Sequence, residues 1–211
     1  MRVLAIDTAS PAPALALLDE ERKAGQAENM VLDAEVEPLP LNVAEALPLH
    51  LGGLLDRAGL RLKDVERIAV LSGPGSFTGL RAGTAFGRGL ARALEIPLVL
   101  IPTFEAVSAA IPVPGFLDFV LDAGRGEVHL AERRGQQIQL LPRPIPRAEA
   151  LERARHAGVS VRDLDADPLV LAPALARLGR ENAANPTEAV FLAYGRRSAA
   201  EEKFGPAEGG S

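Results

Sequence analysis

Short apolar runs bounded by polar turns alternate along the chain with longer stretches of helical spacing. Val3-Leu4-Ala5-Ile6 is a strand-like run ending at Asp7-Thr8-Ala9-Ser10-Pro11, and Ala14 to Leu18 returns before Asp19-Glu20-Glu21, which predicts a hairpin. A weaker third strand falls between Lys23 and Glu37. Between Asn42 and Ala58, the residues Val43, Leu47, Leu51, Leu54, Leu55 and Ala58 recur at helical spacing. Asn42 is the expected cap, Gly59 the expected stop, and Pro48 is expected to kink or delay the helix. Ile68 to Leu71 then reads as a buried strand, followed by the turn Gly73-Pro74-Gly75 and a helix from Thr78 to Leu94. Another strand, Pro97 to Ile101, leads into a helix beginning at Thr103. The order β-β-β-α-β-α-β-α implies an α/β unit: a mixed sheet with helices packed against it.

The second half starts the pattern again. Phe116 to Leu121 ends at Asp122-Ala123-Gly124-Arg125-Gly126, and Glu127 to Ala131 returns, echoing the first hairpin with its aspartate at the strand end. A third strand, Gln137 to Leu141, and a helix, Arg147 to Ala157, continue the echo. After Pro168 only one short helix and a tail are expected. Prolines 112 and 114 punctuate the boundary. The organisation is therefore a first unit over 1–110, a truncated second copy over 111–197 and a frayed tail over 198–211.

Composition narrows the chemistry. Of 211 residues 47% are hydrophobic but only 4% aromatic, so the core must be aliphatic. A net charge of −5 with both signs interspersed argues against a protein whose main task is to grip a phosphate backbone. With no cysteine there is no disulfide, zinc-thiolate or thiol nucleophile. The chain enters strand-like sequence at once, without a basic leader, so no secretory signal is expected. No apolar run approaches the roughly 20 residues of a membrane span.

Two readings apply to Asp7 and Asp122. At the ends of buried strands in facing hairpins, carboxylate and backbone amides can hold a phosphate, a metal or a water. Alternatively each aspartate caps its own turn. The glycines 73, 75 and 79 follow a strand and precede a helix, as in a dinucleotide-binding turn, but Ile101 is followed by Pro102 and Thr103, so the ribose acceptor is missing. No Lys-Ser or Lys-Thr pair follows, which excludes a P-loop. His50, His129 and His156 form no metal-ligand pair, and Gly75-Ser76-Phe77-Thr78-Gly79 places its serine one residue early for a nucleophile elbow. Ser76 reads instead as a helix cap.

Gly79, Gly83, Gly87 and Ala91 lie four apart, on one face of their helix. Each helical glycine costs about 0.8–1 kcal/mol against alanine, so a close neighbour is expected there, either the sheet beneath or another protein. Leu80, Phe86 and Leu90 supply an adjoining apolar face. On that basis Gly79, Gly83, Phe86, Gly87 and Leu90, with Leu47 and Leu51 of the preceding helix, are expected to form a partner interface.

Three motifs, Ile6-Asp7-Thr8-Ala9, Gly73-Pro74-Gly75-Ser76-Phe77-Thr78-Gly79-Leu80-Arg81 and Asp122-Ala123-Gly124-Arg125-Gly126-Glu127-Val128, together resemble the TsaB (YeaZ) family. The resemblance spans about residues 1–195, reaching Thr187-Glu188-Ala189-Val190-Phe191-Leu192. It implies an actin-like (ribonuclease H-like) duplicated fold and a non-catalytic accessory protein for making threonylcarbamoyladenosine beside the tRNA anticodon. It further implies pairing with a TsaD-type catalytic subunit through helices of the first half, a TsaE-type ATPase in the larger assembly, and a homodimer when alone. Contact with tRNA would come through the complex, in the cytoplasm, with no required cofactor or metal. Any vestigial nucleotide contact would fall on Asp7, Thr8 and Asp122. The catalytic relative carries a His-x-x-x-His pair on its first long helix, where this chain reads Leu41-Asn42-Val43-Ala44-Glu45. Two departures from the TsaB pattern are Leu41 in place of a frequent histidine, and Leu192-Ala193 in place of Leu-Arg. The alternative is a small enzyme of the same fold acting on a nucleotide or peptide, an ATPase or glycoprotease-like protein, motivated by Asp7 and Asp122.

Overall fold

Three apolar segments form the centre of the first sheet: β1 (Arg2–Asp7), β4 (Arg67–Gly73) and β5 (Leu98–Pro102) run parallel, joined through helices. Strands β2 (Ala14–Asp19) and β3 (Ala34–Pro38) add antiparallel on the other side of β1, giving the order β3-β2-β1-β4-β5. β1 and β2 are buried along almost their whole length, which is why they read as continuous apolar runs rather than alternating ones. The computed structural model describes residues 1–19, 34–40, 42–111, 115–135 and 137–183. Leu41, the boundary prolines 112 and 114, the motif at 187–192 and the tail at 198–211 lie outside the described residues.

Helices α1 (Val43–Ala58) and α2 (Phe77–Leu94) cover one face of this sheet. Their core side chains, among them Leu47, Leu51 and Leu54, meet Leu4, Ile6, Ile68 and Val70 of the strands. Pro48 neither delays α1 nor ends it. Ala44 and Pro48 are both exposed, so the carbonyl that loses its partner is left to water. Asn42 occupies the cap position, but its side chain makes no capping bond. Ser76 caps α2 as expected, its Oγ accepting from the Gly79 amide at 3.2 Å.

The second sheet repeats the first. Strands β6 (Gly115–Gly124), β7 (Glu127–Gly135) and β8 (Gln137–Leu140) form a meander, and β10 (Ser160–Asp163) joins β6 in parallel after helix α4 (Arg147–Ala157). The order β10-β6-β7-β8 matches β4-β1-β2-β3 of the first sheet. A two-residue strand β9 (Ile145–Pro146) also pairs with β7. Among the described residues, the second sheet has no counterpart of β5, which is where the copy is truncated.

One expectation about the division is corrected. The short C-terminal helix α5 (Ala172–Glu181) does not belong to the second unit; it packs on the first sheet, on the face opposite α1 and α2, beside α3 (Thr103–Ala110). Gly179 lies against Ala69 of β4, and Nη1 of Arg67 donates to the carbonyls of Gly179, Arg180 and Asn182 at 3.0–3.1 Å. A single core therefore runs from Val3, Ala5 and Ala69 through Phe104 and Leu175 to Phe119 and Leu121 of the second sheet. The two units share their interior.

Candidate functional site

The turn after β1 and the turn before α2 are locked together. Thr8 Oγ1 donates to the Gly79 carbonyl at 2.7 Å, and the Ser76 amide donates to the Ala9 carbonyl at 2.9 Å. The Gly73-Pro74 peptide is cis, and a Cβ on Gly75 would come within 2.6 Å of the Ala9 carbonyl oxygen. Bare backbone is needed here because one turn of the molecule lies directly on another.

The same closeness explains the helix glycines. A Cβ on Gly79 would collide with the Thr8 carbonyl, one on Gly83 with Thr8 Oγ1, and one on Gly87 would lie 2.7 Å from Val70 Cγ1. The expectation that Gly79, Gly83 and Gly87 face a partner is corrected: they face the chain's own sheet, and the contact that offsets their helix cost is internal. Leu47 and Leu51 are corrected likewise, being buried against the same sheet. Phe86 and Leu90 are half-buried at the margin of that core and remain available to a neighbour.

Asp7 is fully buried and turned inward. Its Oδ1 accepts from the amides of Ala9 at 3.1 Å and Ser10 at 3.0 Å, and its Oδ2 accepts from Ser10 Oγ at 2.5 Å. Burial pushes its carboxyl up to about 6, opposed by these hydrogen bonds. The amides a phosphate would use are thus already engaged, and Asp7 is placed as the cap of its own turn. Thr8 is spent on Gly79 in the same way.

Asp122 differs. It is exposed, its Oδ2 accepts from the Gly124 amide at 3.1 Å, and its own amide donates to Asp165 at 2.6 Å. Burial, and then the carboxylates of Asp163 and Asp122, hold the Asp165 carboxyl above its ordinary range. This crowd of acids repels an anion at the second hairpin. Asp7 and Asp122 share no hydrogen-bond partner.

The three histidines lie in different settings. His50 Nδ1 meets Glu37 Oε1 at 2.5 Å, tying α1 to β3. His129 is buried, which lowers its pKa, and His156 sits on exposed α4 beside Glu152. Among the described residues no three such side chains gather as a metal site. A cavity of about 330 Å³ lies between the units, lined by Gly73, Pro74, Pro102, Phe104, Glu105, Ile138 and Leu140.

The surface that periodicity missed is the outer face of α1 and α2. Leu49 is 78% exposed, and a Cβ on Gly52 or Gly89 would meet nothing within 4 Å. Ala85 is exposed between them and the arginines of α2. A readable signal existed: Leu49 falls outside the apolar spacing of its helix, so it had to lie on the solvent side.

A family model described as "TsaD: tRNA N6-adenosine threonylcarbamoyltransferase" matches residues 42–165, which takes in α1 to β10 and the locked turn. The chain belongs to this family. The TsaB (YeaZ) resemblance also stands. The tRNA threonylcarbamoyladenosine biosynthesis protein TsaB of Escherichia coli is 32% identical over 135 residues, 63% of this chain and 54% of that protein. The TsaB of Bacillus subtilis is 30% identical over 130 residues, 61% of this chain and 53% of that protein. The matched stretch therefore spans about half the length of these curated relatives. The solved structure of YeaZ from Pseudomonas aeruginosa shares the fold, with a TM-score of 0.66 at 22% identity over 92% of this chain and 99% of that one. The actin-like α/β fold of the family is thus the fold found here. Among the described residues no helix is long and apolar enough to cross a membrane.

Proposed function

We propose that this chain is a non-catalytic accessory subunit in tRNA threonylcarbamoyladenosine biosynthesis, docking a TsaD-type catalytic subunit through the outer face of α1 and α2. The observation that carries this reading is that face itself: Leu49 stands out 78% exposed beside open Gly52, and the small residues Ala85 and Gly89 bare the adjoining helix. Helical glycines without an internal neighbour are a standing cost, which a closely approaching partner offsets. Half-buried Phe86 and Leu90 extend the apolar surface. The non-catalytic role is supported by the inward-turned Asp7 and by α1, whose one histidine is engaged with Glu37. The TsaE-type ATPase, tRNA contact through the complex, self-association through the same face when alone, and a cytoplasmic setting belong to this reading.

The test is co-purification with a TsaD-type subunit together with reconstituted tRNA threonylcarbamoylation. The full chain should support the reaction only with that subunit, and Leu49→Arg should abolish binding while the fold persists. Turnover of ATP or a peptide by this chain alone, lost in Asp7→Ala, would favour the enzyme reading instead.

A further inference from the structure

Helix α2 carries Arg81, Arg88 and Arg92 and no acidic residue, in a chain whose net charge is −5. The three lie at intervals of seven and four, so they project from one face. Their Cα atoms are separated by about 10 Å and then about 6 Å along the axis. All three are exposed, and Arg81 packs over the Phe77 ring at 5.4 Å. Arg88 and Arg92 form no ion pair among the described residues. Cations held in a row without local counter-charges repel one another, whereas exposed Arg57, Arg61 and Arg155 each pair with a carboxylate. What sets α2 apart among the described helices is that three exposed arginines share one face with no carboxylate paired to them.

We infer that the arginine row is the electrostatic rim of the docking face, and that it meets an acidic surface of the catalytic subunit. This rests on the docking proposed above. A protein partner is favoured over a nucleic acid by the neighbours of the row. Ala85 and Gly89 lie beside it, Leu49 stands on the next helix, and the same helix exposes Glu45 and Asp56. An apolar centre bordered by arginines is the composition of a protein interface. A phosphate backbone gains nothing from exposed Leu49 or from bare alanine and glycine, whereas a protein surface packs against them. The arginines act at the rim, where charge sets encounter rate and salt sensitivity more than final packing.

The experiment measures the affinity of the full chain for a purified TsaD-type subunit at about 50 mM and about 500 mM salt, where screening lengths differ severalfold. The double variant Arg88→Glu/Arg92→Glu, both sites being exposed, should keep a cooperative melt, lowered only slightly by placing a carboxylate in the last turn of α2. It should bind about tenfold more weakly at low salt and lose most of the wild-type salt dependence. Wild-type affinity and salt dependence in the double variant would overturn this inference alone. Failure of the wild-type chain to bind at either salt would overturn the docking reading and this inference with it. A gel shift of the isolated chain with tRNA distinguishes the remaining case: tRNA binding lost in the double variant, with partner binding intact, would reassign the row to nucleic acid and overturn the inference.

Discussion

Thr8 and Gly79 hold the two halves of the signature together: the threonine hydroxyl donates to the glycine carbonyl at 2.7 Å, while the glycine's missing side chain leaves room for the threonine's own carbonyl. One residue gives a bond and the other gives clearance. Gly79→Ala puts a methyl into backbone, which cannot rotate away as a side-chain tip could. Its melting temperature should fall, by an overpacking cost of roughly 1–3 kcal/mol. Gly89→Ala, ten residues along the same helix and open to solvent, should raise it, by about 0.8–1 kcal/mol of helix propensity. Thermal melts of the two variants check both signs.

Asp7 makes stability depend on pH. Its carboxyl is raised from 3.8 to about 6 by burial, so between those values the folded chain keeps a proton that the unfolded chain has released. Stability therefore falls as pH rises through that window and stays lower above it, by on the order of 3 kcal/mol. Asp7→Asn keeps an oxygen for the Ala9 and Ser10 amides without the buried charge. Denaturant midpoints should show the variant more stable than wild type at pH 7–8, with a smaller fall in stability between about pH 4 and 6 than wild type shows.

Arg67 is the clasp of α5. Its guanidinium satisfies three carbonyls at the end of that helix, Gly179, Arg180 and Asn182, which otherwise have no intrahelical donor. Arg67→Met should cost about 1.5–3 kcal/mol, the usual worth of hydrogen bonds to a charged group. Hydrogen exchange should show the loss first in α5 and in the strand face of Ala69 beneath it.

These effects mark what the sequence could and could not disclose. Apart from β3, which was placed only broadly between Lys23 and Glu37, strands and helices of the first unit were legible within a residue or two, because Leu4, Ile6, Ile68 and Val70 sit in continuous apolar runs and α1 keeps strict helical spacing. The repeated hairpin was legible from its aspartates. The place of α5 was not, since periodicity shows that a helix has an apolar side but not which sheet receives it; that was decided by Gly179 fitting against Ala69. β10 was missed because three of its four residues, Ser160, Arg162 and Asp163, are polar and the segment gains its strand character from pairing with β6. For the site, the four-residue glycine spacing correctly announced a close neighbour. It carried no information on whether that neighbour was a second protein or Thr8, seventy-five residues earlier in the case of Gly83.

Two bulky substitutions only two residues apart on α2 should therefore give opposite outcomes. A side chain at Gly83 must enter the space of Thr8 Oγ1, beneath the helix, whereas Ala85 lies on the solvent side. Gly83→Leu should lose the native fold or its cooperative melt, making any loss of partner binding secondary. Ala85→Trp should melt within about 0.5 kcal/mol of wild type, as exposed substitutions do, yet fail to hold the TsaD-type subunit, because a large ring occupies the strip that the partner needs to approach. Circular dichroism melts and co-purification on the same preparations check both. A folded Gly83→Leu that has lost only its partner would restore the glycine row as the interface. Undiminished binding by Ala85→Trp would move the docking face off the outer side of α2.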